Sequence, residues 1–262
     1  MQIIVTGRLI PFVLMIVVSA IFLYFSWRAK KSGKGPQIRK IAGLDALEEG
    51  VGRAAETGRP VLWTAGLPLT QRLYTGDGVQ LLASISILNE LCRLSAIKQV
   101  KVVAAVGQAE LLPAAEEAAR LGYLKGGKPD LFKLENIVYL PEQAYTVAIA
   151  GFMMREKFPF CVFAGPLLHE AIILGEVGQT IGAFAVGGTA AVSQIPFLIA
   201  TCDFTLIGEE LMAAGAYVAK DPGELGGFLG EDIGKVIALI LAIVGTITVS
   251  LGVNTLVNLL KM

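Results

Sequence analysis

The sequence predicts an α/β protein: a doubly wound, mostly parallel, Rossmann-like sheet flanked by two transmembrane helices. Three observations predict it. Short, continuous apolar runs alternate with helix-length segments through the middle of the chain, as parallel strands covered on both faces do. Two uncharged runs, Leu9–Trp27 and Val236–Leu260, are each long enough to cross a hydrocarbon core as a helix. Five of the six expected strands run into glycine, at Gly66, Gly107, Gly165, Gly187 with Gly188, and Gly208. In a doubly wound sheet such turns gather at the carboxyl ends of the strands, where these folds place ligands.

Residues 1–27 read as an amino-terminal anchor. Behind the first run come Arg28, Lys30, Lys31, Lys34, Arg39 and Lys40, with no acid before Asp45. That cluster keeps its side of the span in the cytoplasm and puts the amino terminus outside. Ser26-Trp27-Arg28 is no small-residue cleavage site, so the anchor is expected to stay uncleaved. Residues 28–37 form a basic linker ending at Pro36. Residues 38–233 are the expected cytoplasmic α/β domain. Residues 234–262 return the chain to the membrane, with the carboxyl terminus outside, in a cell's inner (plasma) membrane.

Within the domain, Leu44–Thr57 opens as an amphipathic helix stopped by Gly58. Strands are expected at Val61–Ala65, Val100–Val106, Asn136–Leu140, Phe160–Ala164, Ile181–Val186 and Phe204–Ile207. Helices fill the intervals at Gly78–Leu94, Glu110–Leu121, Glu142–Arg155, Leu167–Gly175, Ala190–Cys202 and Glu209–Ala219. The stretch Val177–Cys202 carries no charge and has the length of a third span. Its Gln179, Thr189, Ser193, Gln194 and Pro196 suit a buried strand, a turn and a buried helix better than a lipid-facing segment. Pro196 leaves two starts open for that helix: Ala190 with a kink, or Pro196 itself in the first turn.

Composition narrows the function classes. The chain is 54% hydrophobic with a mean hydropathy of +0.65 and no net charge, a hybrid of membrane and globular protein. The basic excess lies at the first membrane exit, so nothing makes a nucleic-acid face. The three cysteines, Cys92, Cys161 and Cys202, have no paired spacing and read as reduced thiols. Gly122 to Pro129 has P-loop spacing, but it follows a helix, and proline replaces the hydroxyl that would hold magnesium. Gly226-Gly227-Phe-Leu-Gly230 reads as linker before the second span, and no dinucleotide fingerprint follows a strand. His169 is the single histidine; no metal set, cofactor motif or catalytic residue is assigned. Asp203, Glu209 and Glu210 flank the last strand, where glutamates opening a helix suit its dipole.

Three stretches carry a resemblance: Ile38–Glu49 with Gly58–Val61, Gly187–Phe197, and Cys202–Leu211. There the chain resembles an uncharacterised prokaryotic membrane-protein family known only as a domain of unknown function. The resemblance implies the layout above and adds no catalytic residue.

Two functions compete at this level. One is a small anionic ligand or nucleotide bound by Gly107, Gly165, Gly187, Gly188, Thr189 and Gly208, of which Gly187-Gly188-Thr189 is read as the best anion turn. The other, preferred, is a scaffold that assembles with itself and has the bilayer and its own copies as partners. Ala238, Ala242, Thr246, Ser250 and Asn254 recur every fourth residue of the second span, with Gly245 alongside. They form a small and polar stripe that lets helices approach closely in lipid.

Overall fold

The computed structural model describes residues 9–33, 41–67, 76–141, 144–219 and 222–251. The described helices and strands run α1 (Leu9–Ser32), α2 (Ala42–Thr57), β1 (Val61–Thr64), α3 (Gly76–Lys98), β2 (Val102–Val106), α4 (Leu112–Lys125), β3 (Ile137–Tyr139), α5 (Tyr145–Glu156), β4 (Phe160–Ala164), α6 (Glu170–Thr180), β5 (Phe184–Thr189), α7 (Ile195–Thr201), β6 (Phe204–Ile207), α8 (Glu209–Ala219) and α9 (Pro222–Ser250). The chain divides into two compact units. Residues 39–219 form one, and residues 1–38 with 220–262 form the other.

The larger unit is a six-stranded sheet in the order β3-β2-β1-β4-β5-β6, every neighbouring pair parallel. Strand alternation splits its core in two. Val61 and Trp63 of β1, with Phe160 and Val162 of β4, pack under α2, α3, α4 and α8. Leu62, Cys161 and Phe163 pack on the opposite side under α5, α6 and α7. Both faces are therefore apolar, which is why these strands read as unbroken hydrophobic runs. The crossover after β1 lies on the first face and the one after β4 on the second, so the winding reverses between these two neighbours.

Most elements fall where periodicity puts them, and β4, β6 and α8 match to the residue. β5 does not: it runs Phe184–Thr189, three residues later than expected. The cause lies upstream, where α6 continues through Gly175 and Gly178 to Thr180. Gly175 is a packing residue, since a Cβ there would come 2.6 Å from the Thr201 Cβ of α7. Val177–Cys202 thus contains the end of α6, a buried strand and α7, and α7 begins at Ile195 with Pro196 in its first turn. The P-loop-like stretch is the end of α4 followed by a 3-10 turn.

The smaller unit pairs α1 with α9, the two helices long and apolar enough to cross a membrane, over Phe12–Ser32 and Leu225–Ser250. Gly226-Gly227-Phe-Leu-Gly230, read from sequence as linker, lies inside α9 and makes this contact. A Cβ on Gly226 would lie 2.5 Å from the Ala29 Cβ, and one on Gly230 would lie 2.9 Å from the Phe22 Cα. Glycines four apart let two backbones approach, as in the close packing of membrane helices. Midway along α9, Lys235 pairs with Glu231 at 3.2 Å and Asp232 at 3.5 Å.

Candidate functional site

The carboxyl ends of β1 and β4 meet where the winding reverses, and two glycines shape them. Gly66 has φ +78° and Gly165 φ +147°, conformations that side chains disfavour. Gly165 leaves β4 directly against the backbone of Ala65, which fills the space of any Cβ.

Polar side chains buried in an otherwise apolar core line this edge. The Thr64 hydroxyl, at the end of β1, hydrogen-bonds the Tyr145 hydroxyl from the first turn of α5. Tyr145 is fully buried. Burial drives its phenol well above the ordinary range, and the Glu170 carboxylate adds to that rise. Glu170 opens α6 with no exposed surface. Its Oε1 accepts the Leu67 N–H at 2.8 Å, while its Oε2 is buried without a hydrogen-bond partner. His169 Nδ1 lies 3.9 Å from that oxygen, on a side chain that is 71% exposed.

Helix α3 clips the neighbouring ends from the other face. Gln80 Oε1 accepts the Ala190 N–H at 2.8 Å, and the Ser84 hydroxyl donates to the Ala164 carbonyl. Gln80 and Ser84 are both buried. Satisfied in this way, such groups fix the strand ends at little cost.

The glycines singled out from sequence divide into two groups. Gly107, Gly165 and Gly208 do follow β2, β4 and β6 directly. Gly107 faces the Tyr145 ring, whose nearest atom would be 2.9 Å from a Cβ. Gly187 and Gly188 are a correction: they lie inside β5, in register with Phe163 and Ala164, rather than in a turn. Cβ positions there meet Cys202 and Leu198 on one face and Leu206 and Leu211 on the other. The Gly188 carbonyl accepts the Gly165 N–H and the Thr189 carbonyl accepts the Gly208 N–H, each at 2.9 Å. Thr189 itself is buried in the last position of the strand. No turn of free amides exists at this place, because the strand ladder and the core use it.

On α9, Ala238, Ala242, Thr246 and Ser250 are exposed, whereas Gly245 is half-buried. The Thr246 and Ser250 hydroxyls donate at 2.8 Å to the Ala242 and Thr246 carbonyls of their own helix. Asn254 lies outside the described residues. The described hydroxyls of the stripe are thus satisfied within their own helix.

At the amino edge of the sheet, an open cavity of about 350 Å³ is lined by Arg53, Gln179, Phe184 and Asp203 among others. Its charges are already engaged. Arg53 binds Glu49 at 2.7 Å and lies 4.3 Å over the Phe184 ring, and Asp203 Oδ2 accepts the Ala185 N–H at 2.7 Å. Among the described residues no group of three or more His, Cys, Asp or Glu is placed to hold a metal.

One family matches the chain along residues 1–260. The chain belongs to the DUF6754 family. DUF6754 is described as a domain of unknown function. No curated protein and no solved structure matches this DUF6754 chain. Sequence inspection had missed Glu170, Tyr145 and Gln80, the residues that make the carboxyl edge polar. The available signal was modest: one acid following Gly165-Pro166 and His169 in a run otherwise free of charge.

Proposed function

We propose that this DUF6754 protein is a membrane-anchored α/β domain that assembles with copies of itself as a structural scaffold, without catalysis. The observation that carries the reading is the division of labour on α9. Its glycines at Gly226 and Gly230 face α1, while Ala238, Ala242, Thr246 and Ser250 stay exposed. A small-residue face left open by the chain's own partner helix suits a second subunit. Cyclic symmetry follows, because the membrane holds every copy in one orientation. The basic cluster from Arg28 to Lys40 puts the domain in the cytoplasm and both termini outside the inner membrane. Replacing Ala238 and Ala242 by Leu tests the reading: particle mass in mild detergent should fall while the α/β domain stays folded. An unchanged mass would remove the stripe from the assembly.

A second reading is favoured by the reversal of winding between β1 and β4. It makes the protein a receptor for a small ligand at the carboxyl ends of the strands, with Gly107, Gly165 and Gly208 at the turns and Gly187, Gly188 and Thr189 as the strand floor.

A further inference from the structure

The hairpin of α1 and α9 is staggered, and the stagger sets charge on α9 beside the part of α1 that has none. Contacts between the two antiparallel helices fix their register. A Cβ on Gly226 would meet the Ala29 Cβ, one on Gly230 the Phe22 Cα, and one on Gly234 the Val18 Cγ1 at 3.7 Å. Val18 is the midpoint of the uncharged run Leu9–Trp27, which Arg8 and Arg28 bracket in sequence. As a helix that run is roughly 28 Å long, close to the thickness of a hydrocarbon core. Exposed Tyr24 and Trp27 near its end suit the membrane–water interface. Glu231, Asp232 and Lys235 of α9 are therefore level with the middle of an apolar span.

Their side chains are 44%, 70% and 42% exposed, so they lie on the outside of the helix pair. The Lys235 ammonium is 3.2 Å from Glu231 and 3.5 Å from Asp232. Two acids thus share one base, and no other Asp, Glu, Lys or Arg occurs in Leu9–Trp27 or Leu225–Ser250. One negative charge remains over at this level. Charge at mid-bilayer is costly, and such groups face protein rather than acyl chains. An aspartate side chain is too short to reach an interface about 10 Å away along the helix. A second copy would bring the same surplus of negative charge to the same depth, so the complement is a base.

We propose that this face of α9 docks a transmembrane helix of a different protein, one carrying a single Lys or Arg near the middle of its span, which pairs with Asp232 and Glu231. The proposal rests on the membrane placement in the reading above and goes beyond self-assembly, leaving to the copies the small-residue stripe farther along α9.

The test uses the full, fluorescently labelled chain reconstituted in phosphatidylcholine vesicles. The probes are labelled synthetic Leu–Ala helices of membrane-spanning length, one with a central Lys, one with a central Leu, and one with its Lys two turns nearer the end. Resonance energy transfer to the chain is the readout. The central-Lys helix should associate about tenfold or more tightly than either of the others. Asp232→Asn with Glu231→Gln should abolish that preference. If the double variant does not insert, the dependence on Lys position in the parent protein decides the matter instead. Equal association of the three helices, or a preference that survives neutralisation of both acids, would overturn the proposal. Energy transfer between copies of the chain but with none of the helices would assign the face to a second copy and overturn it likewise. A chain that does not float with the vesicles would remove the membrane placement itself, and the proposal with it.

Discussion

Glu170 Oε1 accepts the Leu67 N–H at 2.8 Å, so the first residue of α6 is fastened to the chain leaving β1. The two are more than a hundred residues apart in sequence, and the bond joins the two halves of the sheet at the point where its winding reverses.

Removing that carboxylate should therefore destabilise the fold. Glu170→Ala leaves the Leu67 N–H buried without an acceptor, at a cost of about 1–3 kcal/mol. Glu170→Gln retains an acceptor oxygen and should cost less. Urea unfolding of the α/β domain in the full chain measures both, and equal losses would mean that packing rather than the hydrogen bond holds the joint.

Tyr145 and Thr64 form the second fastening, and here the pair matters more than either member. Tyr145→Phe alone leaves the Thr64 hydroxyl with only the long Gly66 N–H contact at 3.4 Å and should cost about 1–3 kcal/mol. Combining it with Thr64→Val removes both polar groups, so the double variant should be more stable than the sum of the singles predicts. Strict additivity in the double-mutant cycle would count against coupling.

The cysteines supply a pH dependence. Burial raises the thiols of Cys92 and Cys161 well above their ordinary range and pushes Cys202 up to about 12. Their folded values exceed those of the unfolded chain, about 8.5, so folding holds their protons more tightly. Their contribution is intact below about pH 8.5 and declines as pH rises toward about 12, each thiol costing about 1.4 kcal/mol per pH unit within that window. The melting temperature should fall on passing from about pH 8 to about pH 10, and less steeply in Cys202→Ala. The same burial predicts slow alkylation at neutral pH until denaturant is added; rapid labelling of the folded protein would contradict it.

Periodicity made much of this fold legible. β4 reads correctly because both its faces are covered, and α8 because Glu209 and Glu210 mark its start. The shift of β5 arose because Gly175 and Gly178 look like helix stops in sequence but serve as a contact surface against α7 and the core. The same ambiguity turned Gly226 to Gly230 into a linker on paper and a helix contact in space. The polar edge was harder still. Nothing local distinguishes Glu170, at the start of α6, from the exposed Glu209 at the start of α8; only the chain leaving β1, at Gly66 and Leu67, lies against it in space.

The contact between α1 and α9 has its own test. Gly226→Leu should loosen this pairing and lower the melting temperature of the full chain, because a Cβ there would lie 2.5 Å from the Ala29 Cβ. An unchanged melting temperature would mean that the two helices do not depend on a close approach at this glycine.

The mass of the particle released intact from its own membrane is the most direct test of self-assembly. Extraction into native lipid discs, followed by single-particle mass measurement at low protein concentration, should give a discrete multiple of the 27.7 kDa chain. Ala238→Leu with Ala242→Leu should shift that particle toward the monomer. A parent protein of monomer mass in the same discs would contradict the account.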